Sequence, residues 1–206
     1  MRSDHDLYIL LTDTGTYFTK MIKLFTGAPY NHVSVAFDAE LKLLYSFGRK
    51  RPSNPLVAGF IEEDVCEGTY RRFPRTRCAV LRLGVGEREK AAAFKTIRSF
   101  QANRDAYRYN LIGLLGVLAG AELAPRNAYF CSQFAADVLA RAGCRLWDRP
   151  PALVTPNDFR LHPAFELVYE GELFDYPLLD QDKVRDIRGV PVAYAGSGIW
   201  GRDIPL

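Results

Sequence analysis

The sequence has few residues that could bind a metal ion or form disulfides. Its 206 residues include three histidines and four cysteines, Cys66, Cys78, Cys131 and Cys144. No two cysteines form a C-x-x-C pair, and no set of cysteines and histidines has the spacing of a zinc site. A chain of this length buries enough surface to fold without a metal or a disulfide. We therefore expect no metal and no other cofactor.

The sequence also lacks a long apolar segment. The first residues, MRSDHDLYILLTD, contain a short apolar run that Thr12 and Asp13 interrupt, which is unlike a secretory signal peptide. The longest apolar stretch, residues 111–121, has about half of the length that spans a bilayer. We expect a cytoplasmic protein with reduced thiols and no integral membrane segment.

The chain carries little net charge. The net charge is +3 and the pI is about 8.7, with short basic clusters at Arg49-Lys50-Arg51 and Arg71-Arg72. Nucleic-acid-binding domains usually have a pI above ~9 and a continuous basic face. We therefore expect no nucleic-acid partner and interpret the clusters as solvated edges. Contact with an anionic membrane surface stays open, although the charge pattern does not indicate it.

Hydrophobic periodicity predicts one α+β domain over residues 1–206. It predicts strands at residues 7–11, 32–37, 41–47, 70–73, 78–83 and 165–169, and helices at residues 17–25, 87–101, 109–121 and 131–142. Residues 49–55 and 62–64 are interpreted as loops, and residues from about 172 as an irregular C-terminal extension. The order of these elements favours a small, mostly antiparallel sheet packed against helices.

Of the three histidines, only His32 belongs to a well-patterned element. His5 lies in a polar N-terminal segment, and His162 precedes a proline. Residues 32–37 alternate, with apolar side chains on one face and His32, Ser34 and Ala36 on the other. A histidine in a strand is most often a structural or surface residue, but a small, polar face also suits a general base.

Cys131 is the best placed of the four thiols for nucleophilic chemistry. It opens the predicted helix, where unpaired backbone N–H groups and the helix dipole favour a thiolate and can stabilise an oxyanion. Cys66 follows acidic residues that would raise the pKa of its thiol, Cys78 lies within a strand, and Cys144 follows the electronegative end of the helix. The alternative is that Cys131 packs as a small hydrophobic side chain, as most free cysteines do.

Two short segments together resemble a known family. Asn31-His32-Val33-Ser34-Val35-Ala36 and Phe130-Cys131-Ser132-Gln133-Phe134 are similar to motifs of the circularly permuted, papain-like branch of the NlpC cell-wall peptidase superfamily. This branch includes YiiX-like bacterial proteins and relatives of lecithin retinol acyltransferase. The histidine precedes the cysteine by 99 residues, in the order of the permuted branch and the reverse of papain. The turn at residues 13–15 and residues 155–159 add to a similarity that spans roughly residues 7–170.

The resemblance implies a permuted papain-like fold in which Cys131 is the nucleophile and His32 is its base. The family takes a third polar residue, which orients the imidazole, from the strand after the histidine strand. Ser46 is the residue of this chain that matches that position. Many members carry a carboxylate or a second histidine there. A hydroxyl can orient the ring, but it stabilises an imidazolium less than an anion does.

Three functions are consistent with these residues. The first is a cysteine hydrolase that acts on an amide, a peptide or a lipid ester through an acyl-enzyme thioester. The second is a ligand-binding module of the same fold that has lost turnover, which the serine at position 46 favours. The third is a peripheral membrane acyltransferase, which depends on the apolar stretch at residues 111–121. A cytoplasmic location would argue against mature peptidoglycan as the substrate.

Overall fold

The structure, a computed structural model, describes residues 5–15, 28–51, 54–110, 125 and 127–189. The predicted helix at residues 17–25 lies entirely outside these ranges, and so does the predicted helix 109–121 from residue 111 onward. Tyr109, the first residue of that second prediction, belongs to a short strand instead.

The described residues form an α+β fold, as the sequence predicts. Its strands are β1 (Leu7–Asp13), β2 (His32–Ala36), β3 (Leu44–Arg51), β4 (Asn54–Glu63), β5 (Arg77–Leu83), β6 (Arg108–Tyr109), β7 (Ala128–Tyr129) and β8 (Phe165–Glu172). Its α-helices are α1 (Gly68–Arg72), α2 (Glu87–Ala102), α3 (Cys131–Arg141), α4 (Pro156–Leu161) and α5 (Gln181–Gly189). Two short 3-10 helices span Pro151–Leu153 and Leu173–Asp175.

Six strands form one antiparallel sheet in the order β4-β3-β2-β1-β5-β8, which confirms the predicted antiparallel architecture. β6 and β7 pair in parallel as a separate ribbon. β1 lies between β2 and β5, where Thr12 faces His32 on one side and Asp13 faces Arg77 on the other. This register puts the first residue of β2 and the first residue of β5 at the same end of the sheet.

One face of the sheet, called the α3 face below, packs against α2 and α3. Its core is aromatic, with Phe47 and Phe60 from the sheet, Phe100 from α2 and Phe134 from α3. The ring centroids of Phe47 and Phe134, and those of Phe100 and Phe134, are 5.1 Å apart. Edge-to-face and tilted ring pairs of this kind fix the position of α3 on the sheet.

The opposite face, called the α5 face, packs against the C-terminal part of the chain. Leu10 and Leu44 of the sheet and Val184 of α5 belong to one buried cluster. The Tyr176 hydroxyl in the same cluster donates to the Ala39 carbonyl at 2.8 Å. Both faces of the sheet are therefore covered, and alternate residues of a strand enter different cores.

The predicted loop at residues 49–55 is wrong, since β3 continues to Arg51 and β4 begins at Asn54. Among the described strands, β4 lies at an edge of the sheet and pairs only with β3. An edge strand tolerates Pro55, whose nitrogen has no hydrogen to donate. β3 also begins at residue 44 rather than 41, because Leu41 has a positive φ of 59° in the preceding turn.

The predicted strand at residues 70–73 is also wrong, because residues 70–72 belong to helix α1. Tyr70 and Phe73 are three residues apart, a spacing that puts two side chains on the same side of a helix. A segment of four residues is too short for its aromatic content to distinguish a strand from a helix.

The C-terminal extension is not irregular throughout, because it contains the 3-10 helix Leu173–Asp175 and helix α5. Val184 and Ile187 are the buried residues of α5, and the rest of this nine-residue helix is mostly polar. Two apolar residues give little periodic signal, so tertiary packing rather than local pattern stabilises this helix. The other predicted elements within the described ranges are confirmed, with ends that shift by at most three residues.

Within the described ranges, no helix combines the length and the apolar character that crossing a membrane would require.

Candidate active site

Cys131 is the first residue of α3, after Phe130, whose extended backbone (φ −109°, ψ 169°) makes it the N-cap. The Ser132 hydroxyl donates to the Val154 carbonyl at 2.7 Å and ties the first turn of the helix to the loop before α4. Cys131 is 4% exposed, and its Sγ lies 3.9 Å from the carbonyl oxygen of Asn31. The thiol is therefore held at a helix N-terminus, directly beside the residue that precedes β2.

The loop that carries Asn31 is fixed by a buried carboxylate. Asp13 Oδ1 accepts hydrogen bonds of 3.0 Å from both the Asn31 side-chain amide and the Gly15 backbone N–H. Gly15 has a φ of +66°, in the left-handed region that glycine adopts without strain. The turn at residues 13–15 thus positions Asn31, and through it the approach of β2 to Cys131.

His32 is the first residue of β2, and its side chain is 22% exposed. Its Nε2 lies 2.8 Å from Oε1 of Glu63, and the Cys131 thiol is close enough to the ring to raise the pKa of His32. Since Nε2 is engaged with a carboxylate, the geometry leaves Nδ1 for the thiol. The structure therefore brings the two residues predicted from the sequence together, with the thiol, the imidazole and the carboxylate next to one another.

Glu63, the last residue of β4, supplies the carboxylate of this series, and its side chain is 8% exposed. Its Oε1 accepts from Ser46 Oγ at 2.6 Å, and its Oε2 accepts from Ser34 Oγ at 2.6 Å and from the Tyr70 hydroxyl at 3.1 Å. A buried carboxylate is costly unless it is paired and hydrogen-bonded. Glu63 has four donors when His32 is counted, so both of its oxygens are satisfied.

The charges of His32 and Glu63 stabilise each other. Burial lowers the pKa of His32, but the Glu63 carboxylate and the hydrogen bonds with Cys131 and Glu63 outweigh burial and raise it to about 10. Burial raises the pKa of Glu63, but the charge of His32 and the hydrogen bonds from His32, Ser34 and Ser46 bring it below its ordinary value. At neutral pH the pair is therefore an imidazolium and a carboxylate.

Ser46 does not contact the imidazole as the matched third residue would. It lies on β3 next to the site, but its hydroxyl donates to Glu63. The sequence pattern does not identify Glu63, because it predicts a loop at residues 62–64. The available signal was the alternation of Gly59, Ile61 and Glu63, which puts an acid on the same face as Ser46 once the β3–β4 hairpin is recognised.

Gly48 leaves space for the imidazole ring. A Cβ at this position would lie 3.3 Å from Cε1 of His32 and 3.0 Å from Cδ1 of Ile61. Both distances are shorter than ordinary van der Waals contact between carbon atoms. A glycine on β3 is therefore part of what allows His32 to lie between Cys131 and Glu63.

The other three cysteines have thiols in less favourable environments, and none forms a disulfide. Burial, followed by the charge of Asp64, raises the pKa of Cys66, which confirms the predicted effect of its acidic neighbours. Burial and Glu170 raise the pKa of Cys78 to about 12. Burial and Glu89 raise the pKa of Cys144. A raised thiol pKa reduces the thiolate fraction, so these three are poorer nucleophiles at neutral pH.

Across the part of the chain that the structure describes, no group of three or more histidine, cysteine, aspartate or glutamate side chains could hold a metal ion. Comparison of the chain with protein-family models, curated proteins and solved structures gives no match.

Proposed function

We propose that the protein is a cysteine hydrolase in which Cys131 is the nucleophile, His32 transfers protons and Glu63 stabilises the imidazolium. The observation that carries this proposal is the position of the His32 imidazole, beside the Cys131 thiol at the N-terminus of α3 and 2.8 Å from the Glu63 carboxylate. The resemblance to the permuted papain-like branch of the NlpC superfamily supports the same assignment of Cys131 and His32. The expected substrate class is an amide, a peptide or a lipid ester.

The first half of the reaction forms a thioester. The Cys131 thiolate attacks the substrate carbonyl carbon, a C–S bond forms, and the carbonyl electron pair moves to oxygen. Backbone N–H groups at the start of α3 can donate to this oxyanion. When the carbonyl re-forms, the bond to the leaving group breaks and the leaving group takes the proton of His32.

The second half of the reaction consumes water. His32 removes a proton from a water molecule, which adds to the thioester carbon, and the C–S bond breaks when the carbonyl re-forms. The products are a carboxylic acid and the protonated leaving group, and the thiolate–imidazolium pair is restored. Glu63 keeps its charge throughout, and its contact with Nε2 keeps Nδ1 directed at the sulfur.

Glu63 weakens the argument for an inactive binding module. That alternative depended on the lack of a carboxylate at position 46, whereas β4 provides one next to His32. An uncompensated carboxylate in a buried position would be destabilising, and four donors retain this one in its charged form. The acyltransferase alternative depends on residues 111–121, which lie outside the described residues.

The test is the rate at which iodoacetamide alkylates Cys131 between pH 5 and 9, followed by peptide mass spectrometry. A thiolate–imidazolium pair should react much faster at pH 6 than free glutathione does, because little of an ordinary thiol is ionised there. Cys66, Cys78 and Cys144 of the same chain are internal controls. If Cys131 reacts no faster than glutathione at any pH, the hydrolase proposal fails and the binding module replaces it.

A further inference from the structure

An arginine-rich segment lies between α1 and β5. Residues 71–77 read Arg-Arg-Phe-Pro-Arg-Thr-Arg. All four arginines, Arg71, Arg72, Arg75 and Arg77, are exposed, whereas Phe73 and Pro74 are half-buried and Thr76 is buried. We call these seven residues the arginine segment. The Thr76 hydroxyl donates to the Phe73 carbonyl at 2.6 Å and holds the backbone of the segment, while the arginine side chains are exposed.

No arginine of the arginine segment forms an ion pair with a described residue. Arg82, farther along β5, is paired with Asp6 and Glu166. Arg77 faces Glu172 across the β5–β8 pair. Even so, within the described ranges none of the ion pairs includes an arginine of the segment. Four guanidinium groups are therefore available to a negatively charged ligand.

The arginine segment is connected to the candidate active site at both ends. Tyr70, the residue before it, donates to Glu63, the carboxylate that also contacts His32. At the other end, Arg77 pairs across the sheet with Asp13, and Asp13 binds Asn31. Two strand spacings separate the backbone of Arg77 from that of Asn31, a distance of about 10 Å.

Arg77 also lies on the face of the sheet that carries the thiol. Cys78 is buried in the cluster of the α5 face, and Ala79 is buried in the cluster of the α3 face. Residues of a strand alternate between faces, so Arg77 shares the α3 face with Ala79. Cys131 belongs to the same cluster. A substrate whose carbonyl reaches Cys131 can therefore place a charged group near Arg77.

We propose that the arginine segment binds a phosphate group of the substrate. This inference rests on the proposed function, because it names the substrate class of the same site. Guanidinium groups match the geometry of phosphate oxygens through paired hydrogen bonds, and one phosphate can accept from more than one arginine. The phosphate can belong to a soluble ester or to a lipid head group, and binding measurements separate the two sources.

The experiment measures binding by the full chain carrying Cys131→Ala, so that turnover does not consume the probe. Phenyl phosphate is the soluble probe and benzoate its comparison, both followed by isothermal titration calorimetry. Vesicles of phosphatidylglycerol and phosphatidylcholine are the membrane probe, compared by cosedimentation with vesicles of phosphatidylcholine alone. Each measurement is repeated with Arg75→Gln/Arg77→Gln added.

A second double variant, Arg104→Gln/Arg108→Gln, is the matched control. Arg104 and Arg108 are exposed, and β6, which contains Arg108, lies beside β4, the edge strand at the opposite end of the strand order from β5 and β8. Both double variants remove two positive charges, and circular dichroism shows whether each keeps its fold. The control therefore separates a local site from a general effect of net charge.

We expect phenyl phosphate to bind more tightly than benzoate, and Arg75→Gln/Arg77→Gln to weaken binding about 10-fold or more, since charge-assisted hydrogen bonds are lost. If the protein binds the vesicles that contain phosphatidylglycerol but does not bind phenyl phosphate, and Arg75→Gln/Arg77→Gln abolishes the vesicle binding, the phosphate belongs to a lipid head group. Equal losses in the two double variants, equal binding of benzoate and phenyl phosphate, or no binding of either phosphate probe would overturn the proposal. Alkylation of Cys131 is independent of these measurements, so the hydrolase and the phosphate site can fail separately.

Discussion

The two faces of the sheet differ in the kinds of side chain that they bury. The α3 face is an apolar and aromatic core, with Phe47, Phe100 and Phe134 in mutual contact. The α5 face also has an apolar cluster, but a buried carboxylate lies beside it. This carboxylate belongs to Glu63, which accepts a hydrogen bond from the Ser34 hydroxyl. Apolar packing tolerates small shifts, whereas a buried charge needs every donor in place. The comparison indicates that the α3 face provides stability and that the polar cluster provides orientation.

The candidate active site lies where the two faces meet. Cys131 packs with the core of the α3 face, while His32 contacts Glu63 and lies 3.2 Å from Ser34 Oγ. Cys131 and His32, the proposed nucleophile and proton-transfer group, are therefore carried by different layers and come together at the N-terminus of β2. Substitutions that affect only one layer should separate stability from thiol reactivity.

The largest effect on stability is expected on the α3 face. Phe100→Ala removes a ring that is 1% exposed and should lower the free energy of unfolding by about 3–5 kcal/mol. Urea denaturation measures this loss. The alkylation rate of Cys131 in the folded variant should stay within about twofold of the wild type, since Phe100 packs in the aromatic core and not against the His32–Glu63 pair. If alkylation falls as much as it does in Glu63→Gln, the two layers do not have separate roles.

The largest effect on reactivity is expected from Glu63→Gln. A glutamine keeps the size of the side chain but removes the charge that stabilises the imidazolium of His32. The alkylation rate of Cys131 at pH 6 should fall about 100-fold, which corresponds to about 2.7 kcal/mol. The matched comparison is Ser46→Ala, which removes one donor to Glu63 and should reduce the rate about 10-fold or less. A larger loss in Ser46→Ala than in Glu63→Gln would return Ser46 to the role of third residue.

The pH dependence of stability should reveal the same pair. The folded pKa of His32, about 10, lies above its unfolded value of about 6.5, so its contribution is complete below about pH 6.5 and is lost as the pH rises toward 10. The pKa of Glu63 is lowered, so its contribution is present above about pH 4.3 and is lost on acidification. Between pH 7 and 9.5 the wild type should lose up to about 1.4 kcal/mol per pH unit relative to Glu63→Gln. Urea denaturation at a series of pH values measures the difference, and parallel curves would show that the pair is not charged in the folded protein.

The smallest effect is expected from Gly48→Ala, which adds a methyl group beneath the imidazole. The new Cβ would lie 3.3 Å from Cε1 of His32, so the ring has to shift. We expect a loss of about 1 kcal/mol in stability and about a fivefold decrease in alkylation rate, because overpacking displaces the ring but leaves its charge. Gly189→Ala is the control, since a Cβ there meets no atom within 4 Å. Equal alkylation rates in the two variants would show that Gly48 does not position His32.

Local sequence patterns predicted one half of the candidate site well. The alternation from His32 to Phe37 put His32 on a polar face, and the pattern after Phe130 put Cys131 at a helix start. Both properties depend on neighbours within a few residues, which periodicity reports directly. The fold class is predicted for the same reason, whereas the sequence pattern misses β4, α1, α4 and α5, because their signals are short or interrupted by proline and glycine.

The sequence by itself determined that Cys131 opens a helix and that His32 lies on the polar face of a strand. Only the tertiary structure decided which acid meets His32. Glu63 is 31 residues from His32 in the chain, and it reaches the ring because β3 pairs with both β2 and β4. A shift of one residue in the β3–β4 register would move Glu63 to the α3 face. Register is a property of the whole sheet, and no local pattern around Glu63 contains it.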